Sequence, residues 1–303
     1  VPGSQAGAEP ISLDAIKEFN VNIAPYDVRS GGFTGGQINA ITKSGSNQFE
    51  GLFRVRGGTE DFTGDLDNVG TGEFQQTRYV GQIGGPIIKD ELFFFVNAEL
   101  KRETSPLDTR VGTGLDGTNI FDEPRARLVG EDGEGGIGGI LDEVYDYPAG
   151  GISPISQNQD DEKVLAKIDW NISDSHRLTI RNNYVNARDD QGIGRDPNEF
   201  SYGNRQFVFQ STQNSFTTSL NSTFSDNMFN EARFVYTRIR DQRNVQDAAF
   251  PEMEITLGGG NSVFAGIDRF SQANQLNQDL YEFTNDFTYV TGDHTLTIGT
   301  SNK

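Results

Sequence analysis

Few residues in this 303-residue chain could do chemistry, and their spacing argues against most of it. The two histidines, His176 and His294, each follow the tip of an expected tight turn, where a polar side chain needs no further role. A metal site there would need ligands from neighbouring turns, and Asp174 and Asp293 are the local candidates. A Ser-His-Asp triad needs its histidine in a cleft, and neither position offers one. Asp65-Leu66-Asp67-Asn68-Val69-Gly70 echoes a calcium loop. It lacks an oxygen ligand at the fifth position, Val69, and a carboxylate at the twelfth, Gln76. Gly31-Gly32 and Gly133–Gly139 lack the strand–glycine–helix setting of a dinucleotide fingerprint. Asn171-Ile172-Ser173 and Asn221-Ser222-Thr223 match a glycosylation sequon but read as polar strand residues. With no cysteine there is no thiolate chemistry and no disulfide framework. The expectation is a protein that is not an enzyme, with no catalytic, cofactor-binding or metal residues. Its acidic loops suit no more than a loose association with divalent cations.

Charge narrows the partners. Lys and Arg number 25 against 44 Asp and Glu, a net charge of −19. No cationic excess exists to neutralise phosphates, so nucleic acid is not an expected partner. Mean hydropathy is −0.55, and no apolar run approaches the roughly 18 residues of a transmembrane helix. That does not touch membrane strands, whose alternating pattern gives a weak hydropathy signal.

Period-2 alternation begins at Phe49 and recurs to the end. In 163–185, Val164, Ala166, Ile168, Trp170 and Ile172 share one face, and Leu178, Ile180 and Tyr184 continue it after a turn. All these positions are even, and facing residues sum to a constant. The loop is therefore expected to hold an odd number of residues, three or five, often with a bulge. Phe216, Leu220 and Phe224 followed by Ala232, Phe234 and Tyr236 behave likewise. Tyr281, Phe283, Phe287 and Tyr289 followed by Leu296 and Ile298 require an even loop, and Gly292-Asp293 supplies it.

Short turns are expected near 87–91, 173–177, 225–229 and 291–294. Long polar loops are expected at 57–74, 102–162, 186–211 and 241–278, with a short helix near 137–145 and a loose start over 1–10. About nine strands are visible. Trp170, Phe224, Phe229, Phe287 and Tyr289 lie beside the short turns, as an interfacial girdle would. Alternation alone suits a soluble antiparallel sandwich as well as a membrane barrel. Tyr145, Tyr147, Phe200, Tyr202 and Phe250 in the long loops suggest contacts for a polar or peptide-like ligand.

Two motifs separate these alternatives. Arg29 to Gly51 reads RSGGFTGGQINAITKSGSNQFEG. It resembles the stretch that closes the plug domain of TonB-dependent outer-membrane receptors and leads into their first barrel strand. The matching positions are Arg29, Ser30, Gly31, Gly32, Gly36, Asn39, Thr42, Lys43, Ser44 and Gly45, then Asn47, Phe49 and Gly51. Gly84-Gly85-Pro86-Ile87-Ile88-Lys89-Asp90-Glu91-Leu92-Phe93-Phe94-Phe95 is similar to a hairpin of the Oar-like branch of that family, with Glu91 where a lysine is common.

The resemblance implies an all-β fold: a transmembrane antiparallel β-barrel of about 22 strands in the full protein, with the C-terminal part of a plug. Residues 1–47 would be plug and 48–303 barrel, an internal piece of a longer chain. The implied function is TonB-dependent transport through a plugged barrel in the outer membrane of a Gram-negative bacterium. A TonB-type periplasmic energising protein would act through an upstream segment absent here, and outer-membrane lipid and an unknown substrate would be the other partners. A surface adhesin or structural β-protein without transport is the alternative.

Overall fold

A computed structural model describes residues 4–23, 36–62, 74–107, 128, 136–150, 155–195, 198–245 and 250–303. Nine strands form one antiparallel sheet. They are β3 (Glu50–Thr59), β4 (Gln75–Ile88), β5 (Leu92–Leu107), β6 (Ile155–Ser173), β7 (His176–Gln191), β9 (Phe207–Ser225), β10 (Met228–Val245), β13 (Gln275–Thr291) and β14 (His294–Asn302). Each pairs with its predecessor in that series, so the sheet is a meander. Strands β1 (Ile16–Ile23) and β2 (Gly36–Thr42) pair with each other and, among the described residues, form a separate two-stranded sheet.

Alternation sorts the side chains in an inverted sense. Along β6, Asp161, Lys163, Leu165 and Asp169 are buried, whereas Val164, Ala166, Ile168, Trp170 and Ile172 are exposed. The same outward face carries Phe53 and Val55 on β3, Tyr79, Ile83 and Ile87 on β4, Phe283 and Tyr289 on β13, and Ile298 on β14. The inner face is polar and is covered by residues 4–15. A sheet with its apolar side to the surroundings and its polar side within is built for lipid.

Short hairpins join β4–β5, β6–β7, β9–β10 and β13–β14 at one end. Because successive strands reverse, the long connections all fall at the other. The residue parity expected of the hairpins holds, but by a different device. The β6–β7 and β9–β10 turns have two residues, Asp174-Ser175 and Asp226-Asn227, and a bulge supplies the odd count at Ile172 and Phe224. At β13–β14 the turn is Gly292-Asp293, with Gly292 at φ 57°. The primed two-residue turns that match strand twist take a positive φ at that first central position, which glycine supplies without strain.

The strands run beyond the expected loop boundaries. β5 continues to Leu107 and β6 starts at Ile155, inside the expected 102–162 loop. β7, β9, β10 and β13 likewise invade 186–211 and 241–278. Along the added lengths of β5, β6 and β7 both faces turn mostly polar, so the hydrophobic alternation fades while the backbone ladder continues, whereas β9 opens on the buried Phe207-Val208-Phe209. What remains of the long connections is partly structured. Helix α1 (Gly136–Tyr145) lies where a short helix was expected. Strands β8 (Glu199–Ser201), β11 (Met253–Gly258) and β12 (Asn261–Ala265) form a small sheet, with β8 parallel to β12. Gly259 and Gly260, both at positive φ, close the β11–β12 hairpin.

Three connections meet in one core of Leu128, Leu141, Tyr147, Ala149, Phe200, Tyr202, Val263 and Ala265. The Tyr147 and Phe250 rings stack at 4.0 Å, and Tyr202 donates a 2.7 Å hydrogen bond to the Leu128 carbonyl. This corrects the ligand-facing expectation for these aromatics. Tyr147, Phe200 and Tyr202 are the core of an outer cap, and of the five only Tyr145 is largely exposed. Glu252 locks the cap rim, accepting from the Arg269 backbone N–H at 2.6 Å and from its guanidinium at 3.1 Å, with Arg205 at 3.4 Å. Burial pushes the Glu252 carboxyl up, but the bonds from Arg269 outweigh it and hold the group below its ordinary range.

Two outcomes are expected. Val164→Arg, outward on β6 and well inside the girdle residue Trp170, should lower folding stability in bilayers by about 2–4 kcal/mol, and Ser156→Arg, on the same face near the far end, by about 0–1 kcal/mol; urea titration in lipid vesicles reads both. Since Glu252 is depressed in the fold, its stabilisation is complete above about pH 4.5, the ordinary value, and is lost as pH falls through the lower folded value. Hydrogen exchange of the β11–β12 amides, corrected for intrinsic rates, should accelerate only in that acid range.

Candidate functional site on the inner face of the sheet

Residues 4–15 hold no long element, only short 3-10 turns at Ser4–Ala6 and Leu13–Ala15. The expectation of a loose start is corrected here. Small side chains let the segment seat closely: Ala6 and Ala8 pack against Ala187, Phe207 and Phe209. Ala15 packs with Ile11 against Phe95 and Leu165.

Polar contacts fix its position. Ser12 Oγ donates to Glu99 Oε2 at 2.5 Å, and Arg78 donates to the same oxygen at 2.7 Å. Lys163 Nζ lies 2.9 Å from Glu9, 3.0 Å from Glu99 and 2.9 Å from Asp161. Arg54 pairs with Asp14 at 2.6 Å. Asn183 and Gln191 donate to the backbone carbonyls of Pro10 and Gln5 at 2.9 and 2.7 Å. Burial raises the Glu9 carboxyl, yet the hydrogen bond and charge of Lys163 bring it below its ordinary value, so it stays ionised. The segment's own carboxylates, Glu9 and Asp14, are part-exposed, so solvent screens these pairs and their net worth is small. They set where the segment sits more than how tightly it is held.

The connector 43–49 carries the motif into the wall. Thr42 is buried and pairs with Ile16, and Lys43 N–H donates to the Ala15 carbonyl at 2.9 Å. Lys167 donates to Ser44 Oγ at 2.8 Å. Gly45 lies so close to the second motif that a Cβ would run into the Phe94 and Gly85 carbonyl oxygens. On the outward side the Phe49 ring takes the space that a Gly85 side chain would need. Asn47 closes the junction: its amide donates to the Asp90 carboxylate at 2.5 Å and accepts from the Asp90 N–H at 2.8 Å. Asp90 sits at φ 64° in the β4–β5 turn, a conformation costly for a residue with a Cβ and supported here by that pair. The two motifs, about forty residues apart in sequence, thus form one junction.

Gly36 and Asn39 lie on β2, paired with Ile23 and Asn20 and away from the wall. Arg29, Ser30, Gly31 and Gly32 fall outside the described residues, as do Asp65–Gly70 and residues 131–135. Sequence reasoning missed Glu9, Ser12 and Asp14, whose inner-face partners Arg54, Glu99 and Lys163 were visible only as charged alternates in apolar strands. Among the described residues no group of three or more His, Asp or Glu side chains could hold a metal ion.

Residues 148–303, just over half of the chain, match the family described as outer membrane beta barrel domain. The chain belongs to that family. The barrel is a protein of the Gram-negative outer membrane. Over 103 residues it is 34% identical to the TonB-dependent transporter Oar of Myxococcus xanthus, covering 31% of this chain and 10% of that protein. Among solved structures it is similar to the outer membrane transporter YddB from Escherichia coli, with TM-score 0.59, 12% identity, 95% of this chain and 34% of that one covered. The siderophore receptor PirA from Acinetobacter baumannii gives TM-score 0.55 and 13% identity, with 95% of this chain and 34% of that one covered. The barrel chain therefore spans a tenth of its curated relative and about a third of these structures.

The junction makes a graded prediction. Asn47→Ala leaves the exposed Asp90 groups to water and should cost about 0.5–1.5 kcal/mol. Gly45→Ala should cost more, ~1–3 kcal/mol, by overpacking against backbone. Gly81→Ala, whose Cβ meets nothing within 4 Å, should leave the unfolding midpoint in lipid unchanged or higher.

Proposed function

We propose that the full protein is a TonB-dependent outer-membrane transporter, in which residues 1–47 are the end of a plug and 48–303 the start of the barrel wall. The motif residues Gly36, Asn39, Thr42, Lys43, Ser44 and Gly45, with Arg29, Ser30, Gly31 and Gly32 ahead of them, form the plug-to-barrel passage. The observation that carries this reading is the seating of residues 4–15. They lie on the polar inner face of a lipid-facing sheet, held by small apolar contacts and by ion pairs that water can replace. A segment so held blocks the lumen at rest and can leave it under force, while the clamped connector 43–49 stays with the wall. A TonB-type partner in the periplasm supplies that force, and the outer cap screens the entrance for a polar substrate.

Ser12 is 2% exposed, and Ser12→Cys in the full-length protein reports its release. A membrane-impermeant maleimide should label this position in energised cells that carry the TonB-type protein, and labelling should fall at least tenfold with an uncoupler. Labelling that ignores both the uncoupler and the partner would overturn transport and leave the adhesin reading.

A further inference from the structure

The inner face of β3–β5 holds an arrangement that the wall itself does not need. Register places Arg56 directly opposite Arg78, and Arg78 directly opposite Lys101, on three neighbouring strands. Like charges facing across strands destabilise a sheet. Arg56 has no hydrogen-bond or ion-pair partner among the described residues. The three cations line a cavity of about 650 Å³ between the wall and the segment, with Glu9 on the segment's side. Six residues further down the strands, a run of about 20 Å, Lys167 directly faces Arg181, which also lacks a carboxylate partner among the described residues.

The segment balances this charge. On the wall, Arg54, Arg56, Arg78, Lys101 and Lys163 face four acids, Glu99, Glu103, Asp161 and Asp189. Residues 4–15 add Glu9 and Asp14, which pair with Lys163 and Arg54. With the segment in place acids outnumber cations by one; once it leaves, cations outnumber acids by one. This happens in a chain whose net charge is −19, so the cationic strip is local to the path.

We propose that the path opened by withdrawal of this segment selects anionic solutes, bearing carboxylate or phosphate groups, through the Arg56–Arg78–Lys101 rung. The inference rests on the withdrawal reading above. An anion on the rung would relieve the repulsion between its cations. Removal of the segment's two carboxylates exposes the rung at the moment of opening, so the closed protein does not trap the anion.

Two measurements on the full-length protein test it. The 303 residues contain no cysteine, and a Cβ at Gly58, beside the rung, meets only the Phe74 ring at 4.0 Å. Gly58→Cys is therefore a reporter that needs no deletion. Its rates with an anionic and a cationic methanethiosulfonate are compared, with 2-mercaptoethanol as the uncharged standard. Adding Glu9→Gln and Asp14→Asn, which imitates withdrawal, should raise the anion-to-cation ratio roughly tenfold, and Arg56→Gln with Lys101→Gln should erase the rise. A ratio that stays at the standard overturns the proposal.

The second measurement places the protein lacking residues 4–45 in planar bilayers under a potassium chloride gradient. The reversal potential should report anion preference, and the charge-neutralised variant should lose it. Competition by citrate against inorganic phosphate names the preferred group. Conductance without anion preference overturns this inference and leaves the plug reading intact. If the deleted protein folds but conducts no better than the intact one, the plug reading itself falls.

Discussion

Hydrocarbon offers a backbone amide nothing to bond, so a chain that crosses it as strands must satisfy every group from its neighbours. The nine-stranded ladder follows from that constraint, and so does the inversion of its faces. Val164, Ile168 and Trp170 would be an error on the surface of a soluble sheet; against lipid they are the side that gains from its surroundings. Polar side chains are then left to the interior, where they need partners. Glu9, Ser12 and Asp14 supply part of that need.

The inner contacts and the outer cap are built on different physics. The cap has a dry aromatic core and a rim locked by Glu252 and Arg269, so it behaves as a small folded unit. The segment on the inner face has small side chains and part-exposed ion pairs whose net worth is modest because solvent screens their attraction. Between the two motifs the connector is held by close backbone approach at Gly45 and by the Asn47–Asp90 pair. One stretch of chain thus passes, within a few residues, from polar, screened contacts to close backbone packing.

Much of this was legible. The apolar faces of β6, β9, β10 and β13 are written in strict alternation, and the short turns in Gly292-Asp293 and its counterparts. The motifs at Arg29–Gly51 and Gly84–Phe95 stood out in the sequence, but nothing in either showed that Gly45 and Asn47 would meet the second one. What was not legible has physical causes. Bulges at Ile172 and Phe224 carry the parity that loop length was expected to carry. Above the lipid the outward positions turn polar, so the ends of β5, β6 and β7 lose their signature while keeping their hydrogen bonds. Leu128, Phe200 and Val263 meet only in three dimensions, and their aromatic neighbours looked like ligand contacts. Gly259-Gly260 did carry a hairpin signal for β11–β12, hidden in a stretch that otherwise reads as loop. The pairing of Glu9 with Lys163 spans 154 residues, beyond any local pattern.

The length of the strands has a consequence for where the molecule meets its surroundings. β6 and β9 have 19 residues each, whereas crossing the hydrocarbon takes about 9–11 at the usual tilt. With a rise of ~3.3 Å per residue and a tilt near 40°, the wall stands roughly 20 Å taller than the apolar layer. The cap therefore rides on a chimney clear of the lipid headgroups. A molecule arriving on the cap's side of the membrane meets a raised rim rather than a hole flush with the surface.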